Sequence, residues 1–233
     1  EMSVILKYLL KVVMMHFSWT IKIILMLWHL LLWSLAMAFR KDLLLISSWI
    51  KPNTKVLDLG CGNGELLKIL KKEKNISGYG IDNDIDNIKL SLKNNVNVLQ
   101  IDLDNGLEDF EFEYFDYVVL AQSLQVIKNP KELLNQMLRI GKEIIVSFPN
   151  MGHWSSRIQL LTSGIMPVTG NLPYSWHDTP NIHLCTIKDF LIFCEKNDFE
   201  ILEKNITDNN QRCNLFTKLM PNLFGQIATF RIK

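Results

Sequence analysis

From Arg40 onward, short apolar runs alternate with segments whose apolar residues recur at helical spacing. The runs are typical of buried strands, and the spaced segments are typical of amphipathic helices. The predicted strands cover 55–58, 77–82, 97–101, 115–121, 143–148, 201–206 and 226–232. The predicted helices cover 41–50, 64–72, 84–94, 130–140 and 187–197. This alternation predicts a doubly wound α/β fold with a mostly parallel, seven-stranded sheet. The last two strands, with no clear helix between them, should form an antiparallel hairpin at one edge.

Residues 1–36 differ in composition from the rest of the chain. They contain no Gly, Pro, Asn, Asp, Gln, Arg or Cys. The apolar run 23–39 is slightly shorter than the stretch of about 20 residues that a membrane-spanning helix needs. Three interpretations stay open: a membrane-associated helix, a helix packed on the domain, or sequence translated from too far upstream. We expect the third, with a native start at Met37 and one domain over 37–233, so a membrane is an expected partner only if residues 1–36 are genuine.

Charge and cysteine content limit the classes of function. The 233 residues carry a formal net charge of +1, which gives no electrostatic reason to expect nucleic-acid binding. The four cysteines form no C-x-x-C pair and show no metal-ligand spacing with histidine. We therefore expect free thiols in a reducing, cytoplasmic compartment and no metal site.

The most informative motif is Val-Leu-Asp-Leu-Gly-Cys-Gly-Asn-Gly at 56–64. An apolar strand carries Asp58 near its end, and glycines then stand at every second position, where a bare backbone can turn sharply against a ligand. The G-x-G-x-G spacing differs from the G-x-G-x-x-G of dinucleotide sites. It resembles motif I of the class I S-adenosylmethionine (SAM) methyltransferases. Cys61 either fills this crowded turn, which we expect, or acts as a nucleophile.

Two further acids stand where such a nucleoside cofactor would need them. Asp82 ends the second strand about 20 residues past the turn, where a carboxylate can accept from both ribose hydroxyls. Asp102 and Leu103 follow the third strand, at the expected adenine edge. Each acid alone could be a helix or turn cap, but the three in this order favour SAM binding. The predicted cofactor-binding residues, for SAM or S-adenosylhomocysteine, are Asp58, Gly60, Cys61, Gly62, Asn63, Gly64, Asp82, Asn83, Asp102, Leu103 and Ala121.

The segment 149–186 is expected to form a lid or binding loop, because a long irregular insertion above the carboxyl edge of a sheet is seldom a simple connection. It contains three of the five histidines, together with Trp154, Tyr174 and Trp176. Methyl transfer to an oxygen or nitrogen acceptor needs a base. His153, Asp178 and His183 are the catalytic candidates, although a hydrogen-bonded loop residue is the commoner role for each histidine, and Asp178 could simply form a turn before Pro180.

Several segments are more specific than the glycine motif. Gly-Tyr-Gly-Ile-Asp at 78–82, Val-Ser-Phe-Pro-Asn-Met-Gly-His-Trp at 146–154 and Pro-Tyr-Ser-Trp-His-Asp-Thr-Pro-Asn-Ile-His-Leu-Cys-Thr at 173–186 resemble the MetW family of methionine biosynthesis. The resemblance covers Arg40 to Lys233 and implies a Rossmann-like class I methyltransferase fold. It also implies a role in homoserine acylation beside homoserine O-acyltransferase (MetX).

Two functions remain open at this point. One is a SAM-binding partner that supports or regulates homoserine O-acylation. The other is a SAM-dependent methyltransferase acting on a small molecule, since the residues alone do not establish methyl transfer.

Overall fold

The computed structural model describes residues 40–208 and 212–233. The interpretations of residues 1–36 and of a start at Met37 lie outside the described residues. Asp42–Lys233 form one compact unit. Within the described ranges, no helix combines the length and the apolar character needed to cross a bilayer.

A seven-stranded sheet organises this unit. Its strands are β1 (Lys55–Leu59), β2 (Ser77–Asp82), β3 (Val98–Gln100), β4 (Phe115–Ala121), β5 (Gly141–Pro149), β6 (Ile201–Thr207) and β7 (Ile227–Ile232). Their order across the sheet is β3-β2-β1-β4-β5-β7-β6. The pairs from β3 to β5 are parallel, whereas β7 is antiparallel to both β5 and β6. The predicted α/β fold with an antiparallel pair at one edge is confirmed.

Helices and two 3₁₀ turns connect the strands. The helices are α1 (Lys41–Trp49), α2 (Glu65–Lys74), α3 (Ile85–Lys93), α4 (Pro130–Ile140), α5 (Trp154–Ser163), α6 (Ile187–Lys196), α7 (Leu215–Leu219) and α8 (Pro221–Phe224). The 3₁₀ turns are Leu103–Asn105 after β3 and Leu124–Val126 after β4. Because β1 lies between β2 and β4, the carboxyl ends of these three strands meet at one edge of the sheet.

The central strands are apolar on both faces because each face is covered. Val118 and Ile144 belong to one buried cluster, while their neighbours Val119 and Ile145 belong to another. This division follows from the alternation of side chains along a strand. Continuous apolar runs are therefore needed in β4 and β5, as expected for parallel strands buried on both sides.

Three local features differ from the sequence-based expectations. The segment 149–186 is not wholly irregular, because α5 forms a ten-residue helix inside it. The connection between β6 and β7 contains α7 and α8, which are too short for a helical pattern to be recognised. Gly141 ends α4 in an extended conformation and begins β5, where a Cβ would lie 2.5 Å from Val118 Cγ2.

Candidate functional site

The turn after β1 is held in a conformation that favours glycine. Gly60 and Gly62 have φ angles of 66° and 56°, in the left-handed region that L-residues with a Cβ seldom adopt. A Cβ on Gly60 would also lie 2.7 Å from Ser123 Oγ, whereas a Cβ on Gly62 would meet nothing within 4 Å. The turn therefore lies close to Ser123, two residues after β4, at Gly60 and leaves open space at Gly62.

Asp82 connects the end of β2 to this turn. Its Oδ2 accepts from the Gly62 N–H at 2.9 Å. Its Oδ1 accepts from the Asp84 N–H at 2.9 Å and from Asn87 Nδ2 at 3.3 Å. The side chain belongs to a residue only 8% exposed, so these donors compensate for its burial. A carboxylate offers about four acceptor positions, which leaves capacity for a hydroxyl donor from a ligand.

A cavity of about 500 Å³ opens beside the turn. We call it the glycine-turn cavity, and it is lined by Gly60, Gly62, Asp82, Asn83, Asn87, Ile101, Asp102, Leu103, Asp104, Ser123, Val126, Ile127 and Pro180. Its volume lies in the range of sites for small molecules and cofactors. Acidic and amide side chains lie on the β2 and β3 side, and apolar side chains come from both 3₁₀ turns. This combination suits a ligand with hydroxyl donors and a flat apolar group.

Six of the eleven predicted cofactor-binding residues line this cavity: Gly60, Gly62, Asp82, Asn83, Asp102 and Leu103. Asp102 also caps the following 3₁₀ turn, since its side chain accepts from the Asp104 N–H at 3.0 Å. The cap interpretation and the ligand interpretation of this acid are thus compatible, because a carboxylate can accept more than one hydrogen bond.

The other five predicted cofactor-binding residues lie near the turn without lining the cavity. Asp58 is buried in β1, and Ala121 belongs to a buried cluster. Gly64 is the N-cap of α2. Asn63 is exposed and its Oδ1 accepts from the Glu65 N–H at 3.2 Å. Cys61 points towards β2, because a Cβ on Gly80 would lie 2.5 Å from its Sγ.

Burial determines the chemistry of Cys61. Burial raises the pKa of the Cys61 thiol to about 12, and the nearby charge of Asp58 acts in the same direction. The thiol is therefore neutral at physiological pH, and a neutral thiol is a poor nucleophile. The geometry favours the interpretation of Cys61 as a small residue that fills the turn.

Sequence reasoning missed seven lining residues, which are Asn87, Ile101, Asp104, Ser123, Val126, Ile127 and Pro180. Asn87 had a local signal, because it stands in the first turn of the helix that follows Asp82. Ser123 and Pro180 had none, since their positions depend on how the chain after β4 and the segment 149–186 return to the same edge.

The three catalytic candidates lie in different surroundings, and none lines the glycine-turn cavity. His153 is buried as the N-cap of α5, where its Nδ1 accepts from the Ser155 N–H at 3.3 Å. Burial lowers the pKa of His153. Asp178 is exposed. His183 is exposed, with its Nε2 at 3.1 Å from the carbonyl oxygen of Lys128. Among the described residues, no group of three or more His, Cys, Asp or Glu could hold a metal ion.

Comparison with known proteins agrees with this fold. The family model described as "Methionine biosynthesis protein MetW" matches residues 40–232. The bifunctional methionine biosynthesis protein MetXA/MetW of Rhodopirellula baltica is 37% identical over 188 residues. This alignment covers 77% of the chain, but the chain spans only 30% of the length of that relative.

Solved structures are similar at the level of fold. A SAM-dependent methyltransferase from Archaeoglobus fulgidus has a TM-score of 0.59 at 21% identity, over 83% of this chain and 91% of that one. The [4+2]-cyclase SpnF has a TM-score of 0.58 at 14% identity, over 82% of this chain and 79% of that one. Because one neighbour is a methyltransferase and the other a cyclase, the fold alone does not define a reaction. The family model and the Rhodopirellula relative together show that the chain is a member of the MetW family of methionine biosynthesis proteins.

Proposed function

We propose that the protein is a SAM-binding subunit that supports or regulates homoserine O-acylation by a homoserine O-acyltransferase of the MetX type. The observation that carries the proposal is the relative from Rhodopirellula baltica, whose name joins MetXA and MetW in one bifunctional chain. Parts of one chain are held at a high effective concentration. A separate protein of the same family would need to find the acyltransferase by association.

The glycine-turn cavity supports SAM as the ligand. Asp82 can accept from a ribose hydroxyl, and the carboxyl edge of an open α/β sheet is the usual place for a nucleotide-type ligand. Asp102 and Leu103 are available for the adenine, together with the apolar side chains of Val126 and Ile127. The bare backbone at Gly62 leaves room for the amino-acid part of the ligand.

The surroundings of the catalytic candidates favour a binding role over turnover. His153 and His183 hold local structure by hydrogen bonds, and neither lines the glycine-turn cavity. A base must come within hydrogen-bond reach of the acceptor's proton, directly or through one water. SAM-dependent methyl transfer to a small molecule is the second candidate function, and the methyltransferase fold is the observation that favours it.

The exposed apolar side of helix α5 supports association with a partner. Trp154, Ile158 and Leu161 follow helical spacing, and all three are exposed, with Leu161 85% exposed. We call these three residues the α5 stripe. A contiguous exposed apolar surface is typical of a protein–protein contact. In α5 itself the one buried residue is Ser156, so the helix presents its apolar side chains outward.

The proposal is tested by measuring homoserine O-acyltransferase activity with and without the protein, each at zero and saturating SAM. We expect the protein to raise the activity and SAM to change the size of that effect. The Asp82→Ala variant should lose both SAM binding and the SAM effect. An acyltransferase rate that does not depend on the protein would contradict the proposal, and transfer of labelled methyl from SAM to a metabolite would favour the second function.

A further inference from the structure

A second cavity lies next to the glycine-turn cavity and differs from it in chemistry. We call it the apolar cavity; its volume is about 210 Å³, and it is lined by Leu124, Gln125, Pro130, Leu134, Phe148, Pro149, His183, Leu184, Cys185, Asp189, Phe190 and Phe193. The buried rings of Phe148 and Phe190, with centroids 4.8 Å apart, form part of its wall. A concave and mostly apolar surface of this kind is typical of sites that bind small molecules.

The wall of the apolar cavity is mostly apolar. Two of its polar side chains are engaged, since Asp189 Oδ2 accepts from the Thr186 N–H and hydroxyl at 3.0 and 2.8 Å, and His183 Nε2 lies 3.1 Å from Lys128 O. Burial raises the pKa of Cys185 to about 12, assisted by the charge of Asp189, so this thiol is neutral. A charged group would lose its hydration against this wall, so the cavity favours an uncharged ligand.

Gln125 presents little polar surface to the apolar cavity. Its Nε2 donates to Gln122 O at 2.8 Å. Its Oε1 atom has no hydrogen bond in the described part of the chain, but it is buried and therefore not available to a ligand in the cavity. At the packing density of protein interiors, the volume of the cavity holds roughly nine non-hydrogen atoms.

The two cavities share walls. The Leu124–Val126 turn contributes Leu124 and Gln125 to the apolar cavity and Val126 to the glycine-turn cavity. The segment 180–185 contributes Pro180 to the glycine-turn cavity and His183 to the apolar cavity.

Hydrogen bonds join these two walls. The carbonyl oxygen of Gln125 accepts from the backbone N–H groups of Ile182 at 2.8 Å and His183 at 2.9 Å. A ligand in one cavity that shifts the Leu124–Val126 turn would therefore also move the wall of the other cavity.

We infer that the apolar cavity is a second ligand site, which takes an uncharged, largely apolar molecule of about nine non-hydrogen atoms, and that its occupation is linked to occupation of the glycine-turn cavity. The linkage rests on the proposed function, because SAM is the ligand of the glycine-turn cavity there. The existence of a ligand site in the apolar cavity does not depend on the proposed function. Binding to one cavity changes affinity at the other if it biases the shared wall.

Indole and benzofuran are suitable probes, because both are flat, uncharged and of the expected size. Ligand-observed NMR titrations of the whole protein should show saturable binding of both. Leu134→Trp places an indole ring in the cavity and should abolish binding. Leu184→Trp, at a partly exposed lining position, is a second filling variant if Leu134→Trp does not fold. Leu90→Trp, an exposed position on α3 outside both cavities, is the matched control and should bind indole normally.

Calorimetric titration of SAM, with and without saturating indole, tests the linkage, and we expect the dissociation constant to change about fivefold or more. The absence of saturable indole binding, or binding that both filling variants retain, would overturn the site. An unchanged SAM affinity would overturn the linkage. If SAM does not bind at all, the proposed function fails together with the linkage, while the indole titration still decides the site.

Discussion

The Asp82 carboxylate accepts a hydrogen bond from the backbone N–H of Gly62 at 2.9 Å, which ties the end of β2 to the turn after β1. The same carboxylate accepts from the backbone N–H of Asp84 at the start of α3. One side chain thus positions two pieces of backbone around the glycine-turn cavity. The effect of the Asp82 carboxylate on ligand binding and its effect on the stability of the fold can be measured in separate experiments.

Asp82→Asn is the sharpest change at this position. An amide has one acceptor oxygen, so its NH₂ group must face at least one of the donors that Asp82 now satisfies. We expect the free energy of unfolding to fall by about 1–3 kcal/mol and SAM affinity to fall about tenfold or more. Urea denaturation and calorimetry measure the two effects. Asp86→Asn, on the exposed side of α3, is the control and should change neither; wild-type SAM affinity in Asp82→Asn would contradict the ribose role.

Gly60 and Gly62 form a matched pair for the turn. Ala at either position must adopt a left-handed backbone, at a cost of roughly 1–2 kcal/mol. Gly60→Ala should cost more, because its Cβ would lie 2.7 Å from Ser123 Oγ. Urea denaturation of Gly60→Ala, Gly62→Ala and the double variant Gly60→Ala/Ser123→Ala should show that removal of the Ser123 hydroxyl recovers part of the difference. Equal losses in the two single variants would refute the close approach.

Local patterns predicted much of the sheet and part of the cavity. The bounds of β4 and the central residues of β5 followed from continuous apolar runs, which both buried faces of the sheet require. Gly60 and Asp82 could be predicted as cavity residues because turn chemistry and strand ends are local properties.

Other cavity residues could not be predicted in this way. Ser123 and Pro180 reach the glycine-turn cavity only through tertiary contacts, for which no spacing rule exists. Helix α5 was missed although Trp154, Ile158 and Leu161 follow helical spacing, because the glycines and prolines on either side of this short helix indicate a loop.

His153 should make the stability of the protein depend on pH. Burial lowers the pKa of His153, whereas the unfolded chain should titrate near about 6.5. Between these two values the unfolded state binds more protons, so stability is complete above about pH 6.5 and decreases as the pH falls below it. Protonation would also remove the Nδ1 acceptor that caps α5.

His153→Asn tests this pH dependence, because Asn keeps a capping acceptor but cannot titrate. Urea unfolding between about pH 5 and 7.5 should show a flatter profile in this variant than in the wild type. His177→Asn, at an exposed position, should keep the wild-type profile. An equally steep profile in His153→Asn would show that another group titrates.

Cys61 should resist alkylation in the folded protein. Burial and the charge of Asp58 raise its pKa to about 12, and the reactive thiolate is scarce far below that value. Iodoacetamide at about pH 8 should therefore modify the exposed Cys213 first and leave Cys61 largely unmodified. Peptide mass spectrometry distinguishes the two, and the urea-unfolded protein, in which all thiols are accessible, is the control. Rapid labelling of Cys61 in the folded protein would support the nucleophile interpretation instead.

The Leu161→Glu variant tests whether the α5 stripe is the surface that binds the acyltransferase. The Leu161 side chain is 85% exposed, so Leu161→Glu should not disturb the core, but it would place a charge in an apolar contact. Truncation or charge at a central contact residue costs about 2 kcal/mol or more in binding, so the concentration of protein needed for half-maximal activation of the acyltransferase should rise about tenfold or more.

Leu92→Glu, at a similarly exposed position on α3 near the β3 edge of the sheet, is the matched control. Both variants should bind SAM normally, because neither residue lines the glycine-turn cavity. Unchanged activation by Leu161→Glu would place the acyltransferase contact on another surface.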